Sequence, residues 1–414
     1  MRGRILIDVS PLRESRDFRL LFFGQIVGSV GSQLTLVAIP YQVYAETKSS
    51  LQVGAVSLAQ LVPLIVGALV GGSLGDALDR RTLLLVSSVA LSLTSVALAL
   101  NAVLDHPSIA VIYVVSALAA GLTGFATTAR NAAVPTLVER RLLAPAYAFM
   151  QIIFQVGTVA GPALAGLLIA AIGVPWVYGI DAITYGTTIV TVALMSPIPP
   201  VAGATRPGLG SIMEGLRFLR GRQALQGVYL IDINAMVFGM PRALFPALAD
   251  TVFHGGAVTL GFLYSAPGAG ALLGAATTGW VTRVRRQAWV IFAAVVVWGA
   301  AITAFGFSTV LWLSLILLAV AGWADVISAV LRNTVLMSSI PEQFRSRMSS
   351  IQMAVVQGGP RLGDLESGLV ATAVTTEFSI VSGGLACIVG AVALMATLPG
   401  FRRYTDDQGA PPPA

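Results

Sequence analysis

The chain has 414 residues, of which 56% are hydrophobic and 11% charged, where a soluble domain carries about 25% charged. Its net charge of +6 rests on 24 arginines and one lysine, and two histidines and one cysteine provide no metal-ligand spacing and no intramolecular disulfide. These figures exclude an ordinary soluble enzyme and leave a membrane-embedded chain, with mean hydropathy +0.83.

The N-terminal stretch MRGRILIDVSPLRESRDFR is basic and lacks a small-residue cleavage site, so it is expected to be a cytoplasmic arm and not a signal peptide. Apolar runs long enough to cross a bilayer core of about 30 Å as helices then follow one another. Twelve are expected, at roughly 18–44, 51–75, 82–104, 108–131, 144–171, 175–196, 223–250, 258–281, 287–307, 309–332, 347–373 and 377–398. The longest polar stretch, 196–222, falls between the sixth and seventh runs. It begins as a Pro/Gly-rich linker and continues as IMEGLRFLR, with Ile212, Leu216 and Leu219 on one helical face and Arg217 and Arg220 on another. The expected organisation is therefore an N-terminal six-helix bundle (1–200), a cytoplasmic linker with an amphipathic helix (201–222) and a C-terminal six-helix bundle (223–414).

The basic residues orient these spans. With the N-terminus inside, 22 of the 25 fall in inner segments or adjoining helix ends, Arg332 among them. Lys48 alone lies in an outer loop, and Arg242 and Arg361 lie within spans. Positive residues stay on the cytoplasmic side during insertion, so both termini are expected on the inner side of the cytoplasmic membrane. The same distribution rejects a nucleic-acid partner. The 24 arginines against one lysine, with abundant Ala, Gly and Val, suggest a bacterial chain.

The two halves repeat one another. Arg130-Asn131 after the fourth span and Arg332-Asn333 after the tenth are 202 residues apart, and GPALAG (161–166) matches GPRLGD (359–364) at a distance of 198. Parallel six-helix repeats are a sign of one large transporter architecture. The loop GGSLGDALDRR (71–81) resembles a signature loop of the major facilitator superfamily, matching at Gly72, Asp76, Arg80 and Arg81 but carrying Ala77 where the pattern has arginine. GTVAGPALAG (157–166) is similar to the fifth-span element of the exporter branch, with Gly157, Gly161, Pro162 and Gly166 in place. SLQVGAVSLAQL, ARNAAVPTLV, FPALAD and GFLYSAPGAGALLGA resemble siderophore exporters of the enterobactin-exporter type and related multidrug efflux proteins. The resemblance implies an all-α integral membrane protein, with twelve helices in two pseudo-symmetric six-helix bundles that rock about a central cavity. It also implies that Asp76 helps latch the first half while the protein faces outward.

Physical reading of the motifs adds roles. Gly157, Gly161 and Gly166 permit close helix approach and Pro162 bends the fifth span. Uncharged polar residues of the first half (Gln25, Ser29, Gln33, Gln60, Thr123, Gln151 and Gln155) serve either as interhelical glue or, with Gln357, as lining for an organic substrate. Charges within the second half comprise Asp232, Asp325, Asp364 and Glu366 against Arg242 and Arg361, leaving two carboxylates in surplus as candidates for proton binding.

The segment QGGPRLGDLESG (357–368) reads as the interior face of a helix broken at Gly-Gly-Pro. There Arg361 pairs either with Asp364 on its own face or with Asp325 across to the neighbouring span, while Glu366 points about 140° away. Asp181, on a helix peripheral in the family, is assigned no role.

The expected function is proton-coupled efflux of a small siderophore-like or drug-like molecule by a monomer without cofactor or metal. A proton-driven importer and an uncoupled facilitator remain open. No nucleophile or acid–base constellation supports an enzyme, no symmetric ring supports a channel, and no phosphate-cradling loop supports an ATP-driven pump.

Overall fold

The computed structural model describes residues 8–75, 78–199 and 209–405, and within them every regular element is helical. The chain divides into two compact units, Met1–Gln42 with Ala59–Pro207 and Val43–Leu58 with Gly208–Ala414. The first six long helices of the chain are α2 (Arg16–Thr47), preceded by the short α1 (Ser10–Glu14), then α3 (Ser50–Gly75), α4 (Arg80–Val103), α5 (Ile109–Leu137), α6 (Leu143–Ile172) and α7 (Val174–Ala193). After them come α8 (Leu209–Leu219), α9 (Gln223–Phe238), α10 (Phe245–Thr251), α11 (Gly256–Thr277), α12 (Gln287–Gly306), α13 (Leu311–Ser339), α14 (Glu342–Ala373), α15 (Thr376–Thr397) and α16 (Pro399–Arg402).

Among the described residues ten segments are long and apolar enough to cross a membrane, α9 and α10 together forming one of them. Of the twelve expected spans, α7 (20 residues) and α14 (32 residues) fall outside that set because threonines with Asp181, and Arg361, Asp364 and Glu366, dilute their hydropathy. Both are long enough to span.

Asp79 caps α4 by accepting from the backbone N–H of Arg81 (2.8 Å) and Thr82 (3.3 Å), satisfying donors that a helix start leaves open. Asp76, the carboxylate expected to latch this loop, and Ala77 lie outside the described residues. Arg80 is buried, and Arg81 donates to the carbonyls of Val192 (3.2 Å) and Ala193 at the end of α7.

The repeat is visible in packing. Gly121 of α5 faces Pro63 of α3, with 3.2 Å left between an added Cβ and the Pro63 carbonyl. In the other unit Gly322 of α13 lies directly on the Pro267 backbone of α11. Each unit thus brings a glycine of one helix onto a proline of another, the close approach that membrane helices use in place of a hydrophobic driving force. On α8, Phe218 stacks on Phe344 at 4.2 Å between ring centroids and carries the Arg222 guanidinium at 3.6 Å.

Candidate substrate and coupling site

The seventh span is discontinuous. α9 ends at Phe238, the chain passes through Gly239, Met240 and Pro241, and a 3-10 turn (Arg242–Leu244) leads into α10. Proline cannot donate a backbone hydrogen bond, and the carbonyls released by the break need donors at this depth. Trp298 Nε1 donates to the Gly239 carbonyl (2.8 Å) and the Tyr264 hydroxyl to that of Arg242 (3.2 Å). The break delivers the Arg242 side chain to α14, where its Nη2 stands 3.3 Å from Oδ2 of buried Asp364.

The expected break at Gly358-Gly359-Pro360 is not there. α14 runs without interruption from Glu342 to Ala373 with Pro360 inside it. The glycines serve packing: a Cβ on Gly359 would stand 2.8 Å from Met236 Cβ, and one on Gly363 2.5 Å from the Met236 carbonyl, so α9 lies flush on this face. The signal for the true break was present as the Gly-Met-Pro of 239–241, within a segment apolar enough to pass as one span.

The expected partners of Arg361 are corrected likewise. Asp364 pairs with Arg242, and Asp325 with Arg332, so neither is paired with Arg361. Arg361 Nη1 donates to the Gln357 carbonyl one turn back (2.8 Å), and among the described residues no carboxylate lies within ion-pair distance of the guanidinium. Glu366 is half-buried and forms no ion pair among those residues.

Arg332 is the residue that sequence reasoning missed. The charge pattern groups it with the positive inner ends, whereas it is 3% exposed and its Nη2 sits 2.9 Å from Asp232 of α9 and 3.5 Å from Asp325 of α13. Its Nη1 donates to Ser328 Oγ (2.7 Å). Asp325, Ser328 and Arg332 are spaced i, i+3, i+7 and therefore share a face of α13, a pattern legible in the sequence. Two carboxylates thus share one guanidinium.

In the first unit, Arg130 of α5 has only neutral hydrogen-bond partners among the described residues. Its Nη1 donates to Gln25 Oε1 (2.8 Å) and its Nη2 to Thr127 Oγ1 (3.5 Å). A Cβ on Gly161 would overlap Gln33 Cβ, which brings α2 and α6 into close contact beside Pro162. Gly157 and Gly166 are buried on that helix, Gln155 is half-buried, and Gln151 is exposed. Gly72 is half-buried near the end of α3. Asp181, given no role by the sequence, is 2% exposed, and its Oδ2 accepts from Thr35 Oγ1 (2.6 Å) and Ser95 Oγ (2.7 Å), tying α7 to α2 and α4.

A family model described as transmembrane secretion effector matches residues 7–408. The chain belongs to that family of the major facilitator superfamily. It is 30% identical over 399 residues to the enterobactin exporter EntS of Escherichia coli O1:K1, with 96% of each chain covered. The nucleoside transporter NupG superposes with a TM-score of 0.76 at 13% identity, covering 92% of this chain and 98% of that one. A POT family transporter in complex with 5-aminolevulinic acid superposes at 0.73 and 11% identity, covering 94% and 97%. The secretion effector is thus a multi-pass membrane transporter and not an enzyme, and its fold is that of the major facilitator transporters.

Proposed function

We propose that this secretion effector exports a small organic molecule, siderophore-like or drug-like, in exchange for protons across the bacterial cytoplasmic membrane. It works as a monomer with both termini inside, its two six-helix bundles (within 1–200 and 223–414) joined by the 201–222 linker and alternating in access. The relatives that export enterobactin support the substrate class, and the concentration of arginine in the inner segments supports the orientation.

The observation that carries proton coupling is the sharing of Arg332 by Asp232 and Asp325. A buried guanidinium and one carboxylate neutralise each other, and the second carboxylate leaves one negative charge in a poorly solvated place. A proton is the smallest species that removes it, and it can come and go without stranding Arg332. Asp325, at the longer distance and with 30% of its side chain exposed, is the member placed to exchange it. Asp364 is the weaker candidate, because protonating it would strand Arg242.

The test uses purified protein in liposomes, after a thermal-shift screen of siderophores and antibiotics has supplied a ligand. Asp325→Asn, fixed in the neutral state, is expected to keep ligand binding while losing proton release on ligand addition and accumulation against a gradient. Normal pumping by Asp325→Asn would remove this residue from the coupling step.

A further inference from the structure

The break in the seventh span gathers a charge cluster whose balance differs from that of the Arg332 group. Arg242 and Asp364 form a neutral pair at 3.3 Å, and Arg361 adds a positive charge that no described carboxylate meets within ion-pair distance. Three polar atoms of the cluster are buried without a hydrogen-bond partner: Arg242 Nε, Arg361 Nε and Asp364 Oδ1. Two of them are donors on cations.

Geometry places Arg361 away from the side of α14 that packs on α9. At about 100° per residue it lies roughly 160° from both Gly359 and Gly363, the residues pressed on α9. Gln357 and Leu365, which share its side of the helix, are both half-buried, and α3 packs on α14 one turn further on, where Gly54 lies on the backbone of Asp364 and Leu365. A guanidinium cannot shed its proton, and an unmatched charge inside a membrane span costs several kcal/mol or more unless something offsets it. Discontinuous membrane helices are also where transporters build their substrate sites.

From these observations we propose that the cluster at the α9–α10 break is an anion-binding subsite, and that the exported molecule carries a negatively charged group taken by Arg361. Arg242, held by Asp364, flanks the subsite with its free Nε–H, and Asp364 Oδ1 accepts from a hydroxyl or amide N–H next to the charged group. This inference rests on the exporter reading and adds the charge of the substrate to it.

The experiment uses the full chain in nanodiscs and two xanthene dyes of similar size and opposite charge, fluorescein (anionic) and rhodamine 6G (cationic), with binding read by fluorescence anisotropy. Wild type is expected to bind fluorescein and to reject rhodamine 6G. Arg361→Gln should weaken fluorescein binding about 10- to 100-fold, the loss of one charge-assisted hydrogen bond. Arg361→Lys should restore part of it, because charge survives while the planar fork does not. Gel filtration of each variant separates loss of binding from loss of fold, and a misfolded Arg361→Gln shifts the decision to Arg361→Lys and the wild-type dye preference. Equal binding of the two dyes, binding of neither, or undiminished fluorescein binding by Arg361→Gln would overturn the anion subsite. None of these results touches the exporter reading, which stands or falls on proton release with the ligand from the thermal-shift screen. A preference for rhodamine 6G would overturn the subsite and point to the surplus carboxylates as a cation site.

Discussion

Arg130 and Arg332 stand 202 residues apart at matching points of the repeat, each followed by asparagine, yet their surroundings have diverged. Arg332 is buried beneath Asp232, Asp325 and Ser328, whereas Arg130 is half-buried and donates to Gln25 and Thr127. The two halves share the Arg-Asn pair at this point but differ in the groups that face the arginine. A repeat therefore predicts where a side chain sits far better than what it does there.

The contrast is sharpest on stability. Arg332→Gln removes the cation from between two buried carboxylates and should destabilise the protein by about 3–5 kcal/mol, the usual cost of breaking a buried ion pair. The expected result is aggregation on gel filtration or a large fall in melting temperature. Stability equal to wild type would mean that Asp232 and Asp325 are both already neutral.

A second contrast concerns the glycines at matching points, Gly161 and Gly359. A Cβ on Gly161 overlaps Gln33, and one on Gly359 stands 2.8 Å from Met236 Cβ, so both glycines are close-approach points of different neighbours. Overpacking costs typically about 1–3 kcal/mol. Gly161→Leu is expected at the upper end and Gly359→Leu lower, because the added Cβ overlaps Gln33 Cβ more deeply than it approaches Met236 Cβ. A thermal melt of the two variants in one detergent checks the order, and the reverse order would show that α9 is the more rigidly held helix.

The smallest effect belongs to Arg130→Gln. Its hydrogen bonds go to neutral groups, so loss of the guanidinium strands no charge and should change stability by about 1 kcal/mol or less. A fall in melting temperature as large as that of Arg332→Gln would reveal a carboxylate partner for Arg130 and erase the contrast between the two arginines.

Much of the fold was legible because a bilayer imposes one rule on every span: enough consecutive apolar residues with their backbone bonds closed internally. That rule located the ten segments that are long and apolar enough to cross among the described residues, and it also placed helices at α7 and α14, whose polar residues take them below the apolarity of the rest. Within GPALAG, Gly161 is a close-approach point of α6 to Gln33 of α2. The charges did not yield to the same treatment. Helical periodicity ranks residues by face, so it put Arg361 beside Asp364, but it has no information on what a neighbouring helix brings to that face.

Sequence by itself determined the membrane class, the internal repeat and the superfamily, because each depends on composition or on spacing along the chain. Tertiary structure decided the pairing across helices. It broke the seventh span at Gly239–Pro241 instead of the eleventh at Gly358–Pro360, handed Asp364 to Arg242, and buried Arg332 between two acids. The physical reason is range. A hydrogen bond or ion pair acts over about 3 Å, and residues separated by a hundred positions or more are brought that close only by the packing of the helices that carry them.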